Sequence, residues 1–241
     1  MIGLSTAFLP CKKWWKSIKE FNIPVIEVNR RFNQFPFDEY KLEDSLPVIK
    51  DFDLSLHSAT YNVFNSDKVY TQIQLETLKA EIYMAKKIGA KQIIFHIHEE
   101  KYSNEQLERL GQIVDLGYDA GVQLLLENGS FNQAESFALL FDKIPNLKMN
   151  LDFGHLNKAM HNGLYASVKE VVELFGNKIE YCHMHNNYGK KDEHNAVDDG
   201  TLDYKEAIRL LKECGTKKFI IEAHTREGVL QSMKALKGLI D

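Results

Sequence analysis

Short apolar runs alternate with longer helix-period segments from one end of the chain to the other. The runs are IGLST at 2–6, PVIEV at 24–28, LSLHS at 54–58 and QIIFHIH at 92–98, then VQLLLEN at 122–128, LKMNLDF at 147–153, IEYCHMH at 179–185 and KFIIEAH at 218–224. Each is short enough for a strand and close to continuously apolar, as in a parallel sheet covered on both faces. Between 69 and 88, Ile73, Leu75, Leu78, Ile82, Met84 and Ala85 recur at helical spacing among Lys and Glu, and residues 103–120 repeat the pattern. Ser103 with Gln106 has the spacing of a capping box, and Gly89 and Gly121 stand where helices stop. Eight strand–helix alternations predict an α/β fold, a single closed (β/α)8 TIM barrel with its site at the C-terminal ends of the strands. The competing arrangement, a doubly wound open sheet, more usually carries a glycine-rich phosphate loop after its first strand. IGLSTAF has none.

Composition narrows the picture without changing it. With 241 residues, only 5 Pro and no Ser/Gly-rich linker, the chain reads as one domain over 1–241. Hydrophobic residues at 44% and charged residues at 27% are those of a folded globular protein. Lys and Arg number 30 against 34 Asp and Glu, so a net charge of −4 supplies no basic footprint for duplex nucleic acid. Cys11, Cys182 and Cys214 lie far apart without a CxxC pair, the usage of a reducing compartment. With no signal peptide and no apolar stretch of membrane-spanning length, the expected location is cytoplasmic and no membrane partner is expected.

The chemistry-bearing residues gather where this fold places its active sites. Seven of nine histidines (His57, His96, His98, His155, His183, His185 and His224, but not His161 or His194) fall at or just after a predicted strand end. Glu127, Asp152 and Glu222 close strands five, six and eight in the same way. Burying these three carboxylates together without a cation costs several kcal/mol in desolvation and mutual repulsion. Imidazole with carboxylate is the ligand mix of zinc, manganese or iron. A proton-sharing carboxylate network with neutral histidines is the alternative. Asp152-Phe153-Gly154-His155 places an acid and an imidazole three apart, and Asp192-Glu193-His194 places another pair two apart after strand seven.

From strand three onward these residues resemble the xylose isomerase-like superfamily, and their ligand pattern is closest to endonuclease IV, the AP endonuclease family 2. The resemblance runs through His57 in LSLHS, His96 in IIFH, Glu127-Asn128, Asp152 and His155 in LDFGH, His183 in HMHN, Asp192 and His194 in DEHNAVDDG, and Glu222 in IIEA. It implies a divalent-metal cofactor of up to three Zn, with Mn or Co as substitutes. Glu127 would bridge two ions. His57 and His96 complete the first, Asp152, His183 and Glu222 the second, and His155, Asp192 and His194 hold the third. The implied chemistry is phosphodiester hydrolysis by an activated water attacking phosphorus in line, with Glu127 or Glu222 orienting it. His183 and His185 share a face, and of the two His183 is favoured for the strand-seven position. The first strand lacks the histidine of that enzyme, its DNA-inserting loops are not recognisable, and the net charge agrees poorly with DNA as partner.

Sugar and sugar-phosphate isomerases and epimerases share the superfamily and need one metal, here on Glu127, Asp152, His183 and Glu222. In that alternative Glu127 and Glu222 are the acid–base pair of an enediolate mechanism. His155, His185, Lys190, Lys191 and Arg30 are then candidates to grip a sugar or sugar-phosphate substrate. Arg30-Arg31-Phe32 is a thin substitute for a DNA-binding loop. A metal-keeping binding or regulatory protein is the third reading. Glu27 points to the same rim and either touches substrate or pairs with Arg30, Trp14-Trp15 reads as packing, and Cys182 as a core residue. The hydrolase stands slightly ahead because the isomerase leaves His57, His96, His155, Asp192 and His194 unexplained.

Overall fold

The computed structural model describes residues 1–9, 14–30 and 47–240. Cys11, Arg31 and Phe32 lie outside the described residues, as does the side chain of Trp14. Eight strands, β1 Ile2–Ser5, β2 Val25–Asn29, β3 Asp53–His57, β4 Gln92–His96, β5 Gln123–Glu127, β6 Lys148–Asp152, β7 Ile179–Met184 and β8 Lys218–Ile221, pair in parallel and in chain order. The barrel closes where β1 pairs with β8, Leu4 against Ile221.

Helices connect the strands on the outside: α1 Trp14–Ile18, α2 Lys68–Ile88, α3 Asn104–Asp119, α4 Ala134–Lys143, α5 Phe153–His161, α6 Val168–Phe175, α7 Tyr204–Glu213 and α8 Arg226–Leu236. Their ends follow the expected punctuation. Ser103 and Gln106 form the capping box that starts α3, with backbone-to-side-chain hydrogen bonds of 3.2 and 2.9 Å. Gly89 ends α2 in the left-handed region at φ 81°. None of the described helices is long and apolar enough to cross a membrane.

Two separate apolar clusters reflect the two-residue period of the strands. The larger fills the space between strands and helices and includes Trp15 and Cys182, whose thiol is pushed well above its usual pKa by burial. The smaller is a floor inside the barrel made of Val25, Ile94, Leu125, Tyr181 and Ile220. β1 adds no side chain there, because a Cβ on Gly3 would lie 2.5 Å from Ile220 Cδ1 and 2.9 Å from Val25 Cβ. One period up each strand from this floor come Glu27, His96, Glu127, His183 and Glu222. The polar layer is thus the next inward-facing tier of the same strands, above a dry base.

Seven of the eight apolar runs extend one to three residues past their strands, all but 24–28. The β4, β6 and β8 ladders end at His96, Asp152 and Ile221, so Ile97 and Glu222 lie in the connections that follow and Phe153 opens α5.

Arg30 requires a correction. Expected to grip substrate, it is buried at the end of β2 and donates from Nη1 to Glu81 Oε1 of α2 at 2.8 Å. Glu81 also accepts from the Ala59 amide at 2.9 Å and from the Ser58 hydroxyl. One buried carboxylate therefore ties the ends of β2 and β3 to α2. Burial opposes both charges, raising the Glu81 pKa and lowering that of Arg30. Glu81→Leu leaves the guanidinium buried without its counter-charge, and denaturant unfolding should show a loss of about 3–5 kcal/mol. Arg30→Met added to it should recover most of that loss; an unrecovered double variant would contradict the pairing.

Candidate metal centre

Glu127, at the end of β5, is the hub of the polar layer. Its Oε1 lies 2.7 Å from His96 Nε2 and 3.2 Å from His155 Nδ1. Its Oε2 accepts from Asn150 Nδ2 at 2.9 Å and lies 3.0 Å from His183 Nδ1 and 3.7 Å from His57 Nε2. Three groups radiate from it. The ligand atoms of His57, His96 and Glu127 lie within 4.8 Å of one another. His183 Nδ1 also stands 3.0 Å from Glu222 Oε2 and 3.7 Å from Asp152 Oδ2, which makes a second group. In the third, Asp192 Oδ2 is 3.1 Å from His155 Nε2 and 3.2 Å from His194 Nε2. All nine residues expected as ligands are thus linked by side-chain contacts. Among the described residues, the sets whose ligand atoms all lie within 4.8 Å of one another are His57–His96–Glu127, His57–His183–Glu222, Glu127–Asp152–His155 and His185–His194–Glu222, none of which contains Asp192.

Local structure explains the spacing motifs. Asp152 is at once the last residue of β6 and the N-cap of α5, its Oδ1 accepting from the His155 amide at 2.6 Å. That cap turns the chain so that both side chains of the Asp-x-x-His motif reach the same rim. Asp192 and His194 ride on the loop after β7, which Asn186 organises by donating to the carbonyls of Val197 at 2.9 Å and Leu202 at 3.1 Å. His194 itself adopts the left-handed region, φ 51°, and its Nδ1 lies 3.0 Å from the Glu222 carbonyl. Left-handed backbone is rare away from glycine and concentrates at functional positions.

Charge compensation holds the layer together. Burial alone would raise the Glu127 pKa, but His183 and His96 hold it well below the carboxylate range. Glu222 is lowered in the same way, His183 overcoming burial. Asp192 is held low by hydrogen bonds from His155 and His194, again against burial. In return the carboxylates lift His155 and His183 well above the usual imidazole value and His194 to about 9. His224, exposed but with its ring stacked on His194, is pushed down to about 4 by partial desolvation and by the neighbouring His194.

The residues fit a divalent cation. His183 Nδ1 is buried without a hydrogen bond although two carboxylate oxygens stand 3.0 Å from it, the arrangement of donors that converge on an ion. Glu127, Asp152, His183 and Glu222 would hold one such ion.

The strand-seven histidines divide their work. His183 faces Glu127 and Glu222, whereas His185 directs Nε2 at Asp152, 2.9 Å from Oδ2 and 3.1 Å from Oδ1. His185 is fully buried in a stack of three rings, 3.8 Å from His194, which lies 3.7 Å from His224. Lys190 and Lys191 are exposed on the same loop, and neither is ion-paired among the described residues. Asn150 and Glu27 are polar members of the lumen that the motifs did not single out for this role. Asn150 is two residues before Asp152 on the same strand face, which was the available signal.

Residues 15–239 match the family described as xylose isomerase-like TIM barrel, and the chain belongs to that family. It is 26% identical over 162 residues to the uncharacterized protein MJ1614 of Methanocaldococcus jannaschii, a match spanning 62% of this chain and 61% of that protein. Among solved structures, a D-tagatose 3-epimerase-like protein is 21% identical with a TM-score of 0.80, covering 99% of this chain and 96% of its own. The IOLI protein with a binding zinc atom is 16% identical with a TM-score of 0.80, covering 99% and 97%. These likenesses establish the fold.

Gly154 controls the His185 stack, since a Cβ there would lie 2.0 Å from His185 Cε1. Gly154→Ala should cost about 1–3 kcal/mol by overpacking, measured by thermal or denaturant unfolding. Adding His185→Ala should remove most of that cost, and an unchanged cost would show that the ring is not what the methyl meets.

Proposed function

We propose that the protein is an enzyme, a divalent-metal-dependent isomerase or epimerase acting on a keto-sugar or sugar phosphate. The observation that carries this reading is the approach of Glu127 and Glu222, from well-separated strands, to the same His183 Nδ1, each at 3.0 Å. A divalent ion held by Glu127, Asp152, His183 and Glu222 would polarise a carbonyl and its neighbouring hydroxyl. One glutamate takes a proton from the carbon beside the carbonyl, and the C–H electron pair becomes the C=C bond of an enediolate. The other glutamate returns a proton to the opposite face of that carbon in epimerisation, or to the adjacent carbon in isomerisation, where the hydroxyl proton also passes from one enediolate oxygen to the other so that the new carbonyl forms. His155 and the exposed Lys190 and Lys191 are the groups proposed to receive substrate hydroxyls or a phosphate. The sequence motifs ranked phosphoester hydrolysis first. The epimerase-like structural neighbour and the zinc-binding one support the reverse order.

A second reading rests on a specific observation. The His155–Asp192–His194 group, with contacts of 3.1 and 3.2 Å, and the His57–His96–Glu127 group are unused by a one-metal isomerase. They support a cluster of up to three Zn, or Mn or Co, and a phosphodiester substrate. DNA is the weaker form of that substrate because the net charge is −4.

Ketoses and their phosphates incubated with the enzyme in D2O distinguish the two. An enediolate mechanism places solvent deuterium on the reacting carbon, and Glu127→Gln or Glu222→Gln should slow that exchange by about 10²–10⁴-fold. Phosphodiester cleavage with no deuterium uptake from any sugar would reverse the ranking.

The metal content tests the third group separately. With a single-metal centre, plasma mass spectrometry should find about one ion per chain, unchanged by His194→Ala. About three ions falling to about two in that variant would establish the larger cluster.

A further inference from the structure

We propose that Glu27 is a positioning residue of the metal centre, fixing His183 in the tautomer that carries its proton on Nε2 and leaves Nδ1 free to ligate. The inference rests on the metal-dependent reading above. Glu27 sits on β2, one strand period above Val25 of the apolar floor, and is 0% exposed. Its Oε2 accepts from His183 Nε2 at 2.7 Å and from the Tyr181 hydroxyl at 3.0 Å. The Tyr181 oxygen is also 2.5 Å from Ser55 Oγ. A phenol has one proton, and the carboxylate, having none, must accept it. Ser55 is therefore the donor to Tyr181, and every hydrogen bond in the chain runs toward Glu27.

That direction determines what His183 can do. A neutral imidazole has one N–H and one lone pair. In the metal-loaded protein, with N–H held at Nε2 by the carboxylate, the lone pair on Nδ1 points between the oxygens of Glu127 and Glu222, each 3.0 Å away, where the cation would sit. With the opposite tautomer, Nε2 would present a lone pair to a carboxylate lone pair, and Nδ1 would present a proton to the position of the cation. A buried carboxylate behind a ligating imidazole also strengthens it as a donor. The cost of this carboxylate is high, because Glu27 Oε1 has no hydrogen-bond partner and Arg30 is engaged with Glu81. A carboxylate kept under such conditions directly beneath a ligand fits a role in ligation better than a role in folding.

The test is the affinity of the purified protein for Zn²⁺ and for Mn²⁺, by competition with a chromophoric chelator. Wild type, Glu27→Ala, Glu27→Gln and Tyr181→Phe are compared, and thermal melting of each metal-free protein reports folding separately. Glu27→Ala should weaken binding by about 10–100-fold. Glu27→Gln, whose amide oxygen still accepts from Nε2–H, should lose less, and Tyr181→Phe less than Glu27→Ala. Long-range proton–nitrogen NMR of the zinc-loaded protein should show His183 as the Nε2–H tautomer in wild type and a loss of that state in Glu27→Ala. Folded Glu27→Ala and Glu27→Gln proteins that bind both ions as tightly as wild type would overturn the proposal. Wild type that binds neither ion would overturn the metal centre itself, and the role of Glu27 with it.

Discussion

The lumen of this barrel depends on the compensation of one buried carboxylate. Glu127 is surrounded by His96, His155, His183 and the Asn150 amide, with distances between 2.7 and 3.2 Å. Removing a charge from water costs several kcal/mol, and only neighbours of opposite charge or with protons to donate offset it. Because His155 and His183 each also touch further carboxylates, the compensation propagates. His183 links Glu127 to Glu222, and His155 links it to Asp152 and Asp192. The geometry of every member is thereby set by the others, which is the pre-organisation that metal binding and proton transfer both require.

The scaffold below makes that arrangement affordable in structural terms by giving it a rigid, dry base. Val25, Ile94, Leu125, Tyr181 and Ile220 close the barrel under the polar tier. The Tyr181 ring belongs to the floor while its hydroxyl reaches Glu27 in the tier above, so the two layers share a residue. On the outside, Glu81 performs the equivalent task for the strand ends, holding Arg30 and the turn after His57 against α2. An ion pair so far from solvent contributes little net stability against apolar residues of the same volume. Its effect is to specify where two strands end.

Much of this was legible in the chain. The (β/α)8 order, the strand positions and the gathering of His57, His96, Glu127, Asp152, His183 and Glu222 at one rim follow from period-two patterning and from the tendency of this fold to place function at strand C-termini, whereas Asp192 and His194 are implied as ligands only by the family resemblance. Period two also places Glu27 and Asn150 on the inner face. What it cannot supply is the partner of a side chain. Arg30 and Glu81 are 51 residues apart, and Glu27 and His183 are 156 apart. Those pairings depend on how the barrel closes and how its helices pack, so Arg30 was expected at the substrate and Glu27 was left between substrate and salt bridge. His183 and His185 were indistinguishable by strand phase for the same reason, since that phase is identical and only the cross-barrel neighbours differ. Reaction class was less legible still, because one set of carboxylates and imidazoles serves phosphoester hydrolysis and proton transfer at carbon alike.

The arrangement of the three groups explains why both chemistries fit one rim. The groups around His183 and around His57 and His96 are both deep, made of residues that are 0–4% exposed, and His183 also contacts Glu27 of the same tier. The group of His155, Asp192 and His194 lies nearer the mouth, at 12–27% exposure, and two of its members ride on a loop. Deep ligands fixed by strands suit a resident cation that orients substrate. Shallow ligands on a loop, one with a left-handed backbone, suit a group whose occupancy is set by what the mouth must bind. A sugar phosphate presents both needs in one molecule, a carbonyl for the deep site and an anionic group for the mouth. On the proposed reading His155 and His194 are the part of the site nearest the far end of the substrate, while His57 and His96, 2% and 1% exposed, stay in the deep tier with Glu127.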